Sequence, residues 1–183
     1  MQLHSSTFDT PCGPFSVAVN AAGQVLATAF GELPSLRSRL PKKCHLIGAT
    51  LGLTAPVQRE VAEYFSGRRR VFSVPMAAQG TAFQKQVWAE LAAIPFGQTR
   101  SYGQLAVALG QSGASRAVGR ANAANPLALL VPCHRVIGAD GALGGFAFGA
   151  TIKQHLLTHE GAWPGRPAVN PVGGYVWTRR ERT

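Results

Sequence analysis

Residues 101–124, SYGQLAVALGQSGASRAVGRANAA, contain two short helical patterns on either side of a glycine-bearing turn. Ser101 and Gln104 have the spacing of a capping box, which predicts a helix that begins here and ends at Gly110. A second helix is predicted over about 114–124. Two short helices joined by such a turn are typical of a helix-turn-helix, and this motif decides the fold class of the second half of the chain.

The second of these helices has an unusual composition. It carries two arginines, Arg116 and Arg120, and five of its positions are small: Ala114, Ala117, Gly119, Ala121 and Ala124. A recognition helix that reads the major groove usually carries long polar side chains. The small residues instead favour a close, sequence-tolerant fit to the minor groove. A helix packed inside the domain would explain the alanines equally well, but it would not explain the two arginines.

Helical patterns also flank this motif. Before it, Thr81 and Gln84 repeat the capping-box spacing. The helix that they open has an apolar face and ends at residues 95–97; the face is formed by Phe83, Val87, Trp88 and Leu91. After the motif, a helix is predicted over 151–160, with Gly161 as its end. Residues 79–162 are therefore predicted to form a mostly α domain.

The first part of the chain has a different pattern. Two apolar stretches, 8–18 and 24–30, lie on either side of a turn sequence and predict a hairpin of two strands. A third apolar segment covers 46–53, and a helical pattern then runs from Pro56 to a stop at Gly67. We therefore predict an α/β domain over 1–78, a small sheet with a helix, whose function the sequence does not disclose.

The composition limits the classes of function. The hydrophobic fraction of 46% with 14% charged residues is typical of a folded protein, and residues 163–183 form a basic tail rich in Pro and Gly that is predicted to be irregular. A net charge of +10 favours a polyanionic partner such as nucleic acid. No stretch has the roughly 18 consecutive apolar residues of a membrane span, and no signal peptide is visible, so we expect a cytoplasmic protein without a membrane partner.

The three cysteines, Cys12, Cys44 and Cys133, are odd in number and widely spaced, which argues against a disulfide framework. Cys44 and His45 could form a zinc site with Cys12 and His4, but the close Cys-x-x-Cys pair typical of such sites is absent, so no metal is expected.

The strongest chemical signal is the stretch 127–148, LALLVPCHRVIGADGALGGFAF. Cys133 follows an apolar run and a proline, and His134 is its neighbour in sequence. Thiols react as thiolates, and an adjacent imidazole in an electropositive surround can help a thiol to lose its proton. The glycines that follow allow a flat ligand to approach the backbone. A buried free cysteine with no chemical role remains the alternative from these residues alone.

Four motifs occur together in order: FQKQVW at 83–88, ANAANP at 121–126, PCHR at 132–135 and HEG at 159–161. In this combination the chain resembles the O6-alkylguanine-DNA alkyltransferases, most clearly from Gly80 to Gly161. The resemblance implies that Cys133 accepts the alkyl group and that His134 draws its proton through a water. It also implies that Glu160 holds the histidine and that Asn125 ties the helix to the active-site turn.

The same resemblance assigns roles in DNA binding. Arg116 is implied as the finger that enters the duplex where the damaged nucleotide has swung out, and Tyr102 as the residue that crowds the phosphate and helps to turn the base. The other predicted DNA-binding residues are Ala114, Ser115, Ala117, Gly119, Arg120 and Arg135. The predicted pocket residues are Val136, Phe146, Ala147 and Phe148.

The function that the resemblance implies is single-turnover repair of O6-alkylguanine in double-stranded DNA by a monomer without a cofactor, with O4-alkylthymine as a second candidate substrate. Three alternatives stay open. An alkyltransferase-like protein would recognise the lesion without repairing it, but such proteins have tryptophan where this chain has Cys133. A helix-turn-helix regulator would not need the PCHR motif or Glu160, and a thiol hydrolase would not explain Arg116 and Asn125.

Overall fold

The computed structural model describes residues 1–163 and, further on, only the backbone of two short paired strands, β7 (Ala168–Val169) and β8 (Tyr175–Val176). The rest of the predicted tail at 163–183 lies outside the described residues. None of the helices in the described part is long and apolar enough to cross a lipid bilayer.

The first half forms a four-stranded sheet with strand order β3-β2-β1-β4, in which β1 is antiparallel to β2 and parallel to β4. The strands and the two helices that belong to this half are β1 (Gln2–Thr10), β2 (Gly13–Val19), β3 (Val25–Phe30), α1 (Leu33–Arg37), β4 (His45–Ile47) and α2 (Leu51–Phe65). The predicted small sheet with a helix is therefore confirmed.

Two local predictions in this half were wrong, and one apolar segment without a predicted structure is shared by two elements. The stretch 8–18 is not one strand, because the chain turns between β1 and β2 after Thr10, and the sheet gains a first strand that the apolar pattern did not reveal. The apolar segment 46–53 is divided between β4 and α2. Pro56 does not open the helix but lies inside α2, where its missing N–H removes one backbone hydrogen bond.

The second half is helical, as predicted. Its helices are α3 (Ala82–Ala92), α4 (Tyr102–Ala108), α5 (Ser115–Ala123) and α6 (Ala150–His159). Both capping boxes are present: Thr81 and Ser101 accept from the N–H of the residue three positions on, whose glutamine side chain in turn accepts from the backbone N–H of the cap. Helices α4 and α5 form the predicted helix-turn-helix.

The segment between α5 and α6 contains little regular structure. It holds a single 3-10 turn at Cys133–Arg135, followed by the short strand β6 (Val136–Ile137), which pairs in parallel with β5 (Arg100–Ser101). A glycine-bearing loop then leads to α6. The PCHR motif at 132–135 therefore lies between the helix-turn-helix and α6.

The two halves share one hydrophobic core, which runs from the sheet through α2 and α3 to Leu156 of α6. Strand β3 also meets the segment that precedes Cys133. The Thr28 N–H donates to the carbonyl of Pro126 at 2.8 Å, and the Thr28 hydroxyl donates to the carbonyl of Ala128 at 2.7 Å. The sheet therefore supports the backbone on which the candidate nucleophile is placed.

Candidate active site

Cys133 lies at the start of the 3-10 turn and is only 4% exposed. The turn before it is held in an uncommon conformation, since Leu129 has a φ of 72°, in the left-handed region that non-glycine residues rarely adopt. Two asparagines, Asn122 and Asn125, donate hydrogen bonds to backbone carbonyls of this segment. The Asn125 side chain donates to the carbonyl of Val131 at 2.9 Å and accepts from the Leu127 N–H at 3.0 Å, which links the end of α5 to the turn.

Behind the cysteine, His134 and Glu160 form a fully buried pair. Nε2 of His134 lies 2.8 Å from Oε1 of Glu160, and both side chains are 0% exposed. Nδ1 of His134 is buried and has no hydrogen-bond partner among the described residues. If Nε2 carries the proton that Glu160 accepts, Nδ1 is left with its lone pair as the basic atom of the ring.

Arg135 lies in the interior, which corrects the prediction that it binds DNA. Its Nε and Nη2 donate to the two carboxylate oxygens of Glu160 at 2.8 and 3.0 Å, and Nη1 donates to the carbonyl of Ile94 at 2.6 Å. The residue is 6% exposed. Its guanidinium is therefore used to neutralise Glu160 and is not presented to a phosphate.

The charges of this group are set by burial and by each other. Burial alone would raise the pKa of Glu160, but the hydrogen bonds from His134 and Arg135 and the positive charge of Arg135 outweigh it and hold this pKa well below its ordinary value. Burial lowers the pKa of His134, and the charges of Arg135 and Lys153 lower it further, against the opposing effect of Glu160. His134 is thus neutral near pH 7, in the form that can accept a proton.

Cys133 itself is protonated at rest. Burial raises the pKa of its thiol, while a hydrogen bond from Asn125 and the charges of Arg39 and Lys153 act in the opposite direction. Lys153 is fully buried, and burial lowers its pKa to about 8. Its ammonium donates to the carbonyl of Val136 at 2.5 Å and to that of Gly145 at 3.3 Å. A buried thiol of this kind needs a base before it can react.

A cavity of about 320 Å³ opens in front of Cys133. Seven of the predicted site residues line it: Tyr102, Gly119, Asn125, Cys133, Phe146, Ala147 and Phe148. Asn122, Ala123 and Gly145 also line it and were not predicted. Val136, predicted as a pocket residue, is not among the lining residues, because it is fully buried in the core and only its carbonyl takes part in the site, as an acceptor for Lys153.

One wall of this cavity depends on the N-terminal half. The Phe148 ring packs edge-on against Phe30 of β3, with centroids 5.6 Å apart, and against Phe146 at 5.5 Å. The guanidinium of Arg39 lies 4.7 Å above the Phe148 ring, and its Nη1 donates to the carbonyl of Ala123 at the end of α5. Phe148 is thus fixed from three sides as a boundary of the pocket.

Helix α5 presents the two predicted arginines to solvent. Arg116 and Arg120 are exposed one turn apart, while Val118, Ala121 and Asn122 face inward. The predicted contact residues Ala114, Ser115, Ala117 and Gly119 are partly exposed. No ion pair of either arginine is found in the described part of the chain. The helix therefore carries free positive charge beside a surface of small residues, next to the mouth of the pocket.

Besides the three unpredicted lining residues, three more residues of the site were missed in the sequence: Tyr64, Lys153 and Arg39. The hydroxyl of Tyr64, in α2, donates a hydrogen bond to Oε1 of Glu160 at 2.7 Å. The sequence could have predicted the position of Lys153. It shares one helical face with Leu156, Leu157 and Glu160, since these residues have the spacing i, i+3, i+4 and i+7. Within residues 1–163, no three His, Cys, Asp or Glu side chains are grouped so that they could hold a metal ion.

Comparison with known proteins supports these observations. A family model described as "6-O-methylguanine DNA methyltransferase, DNA binding domain" matches residues 82–162. The methylated-DNA–protein-cysteine methyltransferase of Mycobacterium tuberculosis is 41% identical over 159 residues, which are 86% of this chain and 92% of that protein. That of Methanosarcina acetivorans is 53% identical over 104 residues, 57% of this chain and 67% of the relative. The crystal structure of Mycobacterium tuberculosis OGT in complex with DNA is similar with a TM-score of 0.77 at 37% identity, and covers 87% of this chain and 93% of that one.

Proposed function

The chain belongs to the methylated-DNA–protein-cysteine methyltransferases, and we propose that it transfers a methyl or small alkyl group from O6 of guanine in DNA to Sγ of its own Cys133. The observation that carries this proposal is the position of Cys133, at a pocket of about 320 Å³ and next in sequence to a buried histidine–glutamate pair.

The first step is removal of the thiol proton. The buried thiol of Cys133 is a poor nucleophile until it loses that proton, and neutral His134 is the base that is available. Nδ1 of His134 receives the proton, directly or through one water, while Nε2 donates to Glu160. The carboxylate stabilises the imidazolium that forms, as the third member of a catalytic triad does.

The second step is attack of the Cys133 thiolate on the alkyl carbon. A carbon–sulfur bond forms as the carbon–O6 bond breaks, and the electron pair of that bond goes to O6. Guanine leaves and takes up one proton from solvent, and His134 releases to solvent the proton that it received from the thiol. The product on the protein is a thioether, which has no electrophilic carbonyl that water could attack. Each molecule therefore acts once, and no cofactor is required because the substrate supplies the electrophilic carbon.

The third part of the proposal concerns the DNA. O6 of a stacked guanine cannot reach a thiol inside a pocket, so the damaged base must turn out of the duplex. The small residues of α5 suit close approach to the minor groove, and the exposed side chain of Arg116 occupies the gap that the base leaves in this proposal. Tyr102, half-buried at the pocket, is the residue that crowds the phosphate. We propose that one copy of the chain is sufficient for this binding.

Intact-protein mass spectrometry tests the proposal directly. After incubation with duplex DNA that contains O6-methylguanine, we expect the protein to gain one methyl group in place of a hydrogen, on the peptide that holds Cys133. Cys133→Ala should gain nothing and should still bind DNA, because α5 and its arginines are unchanged. Methyl recovered on Cys12 or Cys44 would overturn the assignment.

A further inference from the structure

Glu160 receives hydrogen bonds from three separate parts of the chain. His134 and Arg135 come from the 3-10 turn beside it, and the Gly97 N–H donates to Oε2 at 3.3 Å. The remaining donor is Tyr64 of α2, whose hydroxyl lies 2.7 Å from Oε1, the oxygen that also faces His134. It comes from the N-terminal half of the chain, whose function the sequence did not disclose.

We propose that Tyr64 is a positioning residue of the transfer site, whose hydroxyl holds the Glu160 carboxylate and limits how strongly that carboxylate attracts the proton of His134. The proposal rests on the function proposed above. It gives the N-terminal half a part in the chemistry, since the hydroxyl shares Oε1 with the histidine.

The geometry of Tyr64 suits a fixed donor. The residue is 0% exposed, and its ring is enclosed by other rings: those of Phe65, Phe72, Phe96 and His159 have centroids 5.0 to 6.0 Å from it. Burial raises the pKa of the Tyr64 phenol well above its ordinary value, and the neighbouring Glu160 charge raises it further. The hydroxyl therefore keeps its proton and can only donate to Glu160.

The effect on His134 follows from competition at one oxygen. A carboxylate oxygen that already accepts from Tyr64 holds less negative charge for its bond with Nε2 of His134. Without the hydroxyl, Glu160 would stabilise the imidazolium more strongly, and the pKa of His134 would rise. The other charged or titratable groups near this pair are Arg135, Lys153 and Cys133 around His134, and Cys12 and His159 around Tyr64. The substitution Tyr64→Phe changes none of them.

The test compares Tyr64→Phe with the parent and with Phe65→Leu, which alters the same aromatic cluster without touching Glu160. Single-turnover methyl transfer is measured as a function of pH. In Tyr64→Phe the acid limb of the profile should move to higher pH, so that transfer at acid pH is about threefold to tenfold slower while the rate at high pH changes little. In Phe65→Leu the midpoint of the acid limb should lie at the same pH as in the parent.

Two further measurements separate a chemical role from a structural one. The first is NMR of labelled His134 in the free protein, which needs no substrate and should show a higher pKa in Tyr64→Phe even if DNA repair were not the function. The second uses 3-fluorotyrosine at position 64, a stronger donor, which should move the midpoint to lower pH. A His134 pKa and an acid limb that are the same in the parent, in Tyr64→Phe and in the fluorinated protein would overturn the proposal. Absence of methyl transfer in the parent would instead refute the proposed function.

Discussion

The two sides of Cys133 are built differently. The proton side consists of Tyr64, His134, Arg135 and Glu160, all at most 6% exposed and joined by hydrogen bonds of 2.7 to 3.0 Å. The ligand side consists of α5 and the loop residues 145–148, which are partly or fully exposed at most positions. Its walls are mainly rings, small side chains and backbone.

This difference indicates that proton transfer and ligand binding are assigned to opposite sides of Cys133. On the proton side every charge is compensated and the groups have little freedom to move, so the base is prepared before any substrate arrives. The ligand side is open, as the proposed function requires, since in that proposal a nucleotide enters the pocket and the small residues of α5 approach DNA closely. Substitutions on the two sides should therefore have separable effects.

The largest effect should come from Glu160→Gln, which breaks the proton side alone. The amide keeps the shape of the side chain but removes the charge that holds His134 and compensates Arg135. We expect the rate of methyl transfer to fall by about 10² to 10⁴ and the free energy of unfolding to fall by about 3 to 5 kcal/mol, since a buried guanidinium loses its partner. Single-turnover kinetics and denaturant unfolding measure the two losses.

A matched control is Glu63→Gln, which removes the partly exposed pair of Glu63 with Arg69 and should cost at most about 1 kcal/mol. The pH dependence of stability gives an independent check. The pKa of Glu160 is depressed in the folded protein, so its contribution is complete above the ordinary carboxyl pKa of about 4.5 and is lost as the pH falls below it. This acid-dependent loss should be smaller in Glu160→Gln, and an unchanged acid profile would contradict the role assigned to the carboxylate.

A smaller and more selective effect is expected from Arg116→Ala on the ligand side. If the guanidinium occupies the gap left by the flipped base, its loss should slow repair of duplex DNA by about tenfold, which corresponds to about 1.4 kcal/mol, and leave the reaction with the free base O6-methylguanine unchanged. Arg120→Ala, one turn further along α5, is the control and should weaken DNA affinity without changing the rate in the bound complex. Equal loss on both substrates would place Arg116 in the chemistry or in the fold.

The smallest effect is expected from Phe148→Gly on the ligand side. Because the ring is held by Phe30, Phe146 and Arg39 at the edge of the pocket, a benzyl group on O6 must compete with it for space. The variant should react faster with O6-benzylguanine and change little with O6-methylguanine. Rates with both free bases decide the matter. A parent protein that already reacts rapidly with the benzyl compound would show that the ring does not restrict the pocket.

The sequence predicted local features well and long-range contacts poorly. Both capping boxes and the helix-turn-helix follow from residues three or four positions apart, and these were confirmed. The bond between Tyr64 and Glu160 joins residues 96 positions apart, and nothing in the helical pattern of α2 distinguishes a tyrosine that packs from one that also donates a hydrogen bond. Arg135 was misplaced for a related reason, because its neighbours in sequence did not reveal that Glu160 would reach its guanidinium.

The contact between Thr28 and the segment before Cys133 has a consequence for cooperativity. The backbone carbonyls of Pro126 and Ala128 in that segment accept hydrogen bonds from Thr28 of strand β3. The segment before Cys133 therefore loses these hydrogen bonds if the sheet unfolds. A chain that began at Gln79 would lack these donors and would expose the apolar surface that the sheet covers. The sheet therefore cannot be removed or replaced without disturbing the second half of the chain. Heating should unfold both halves of the protein in a single transition.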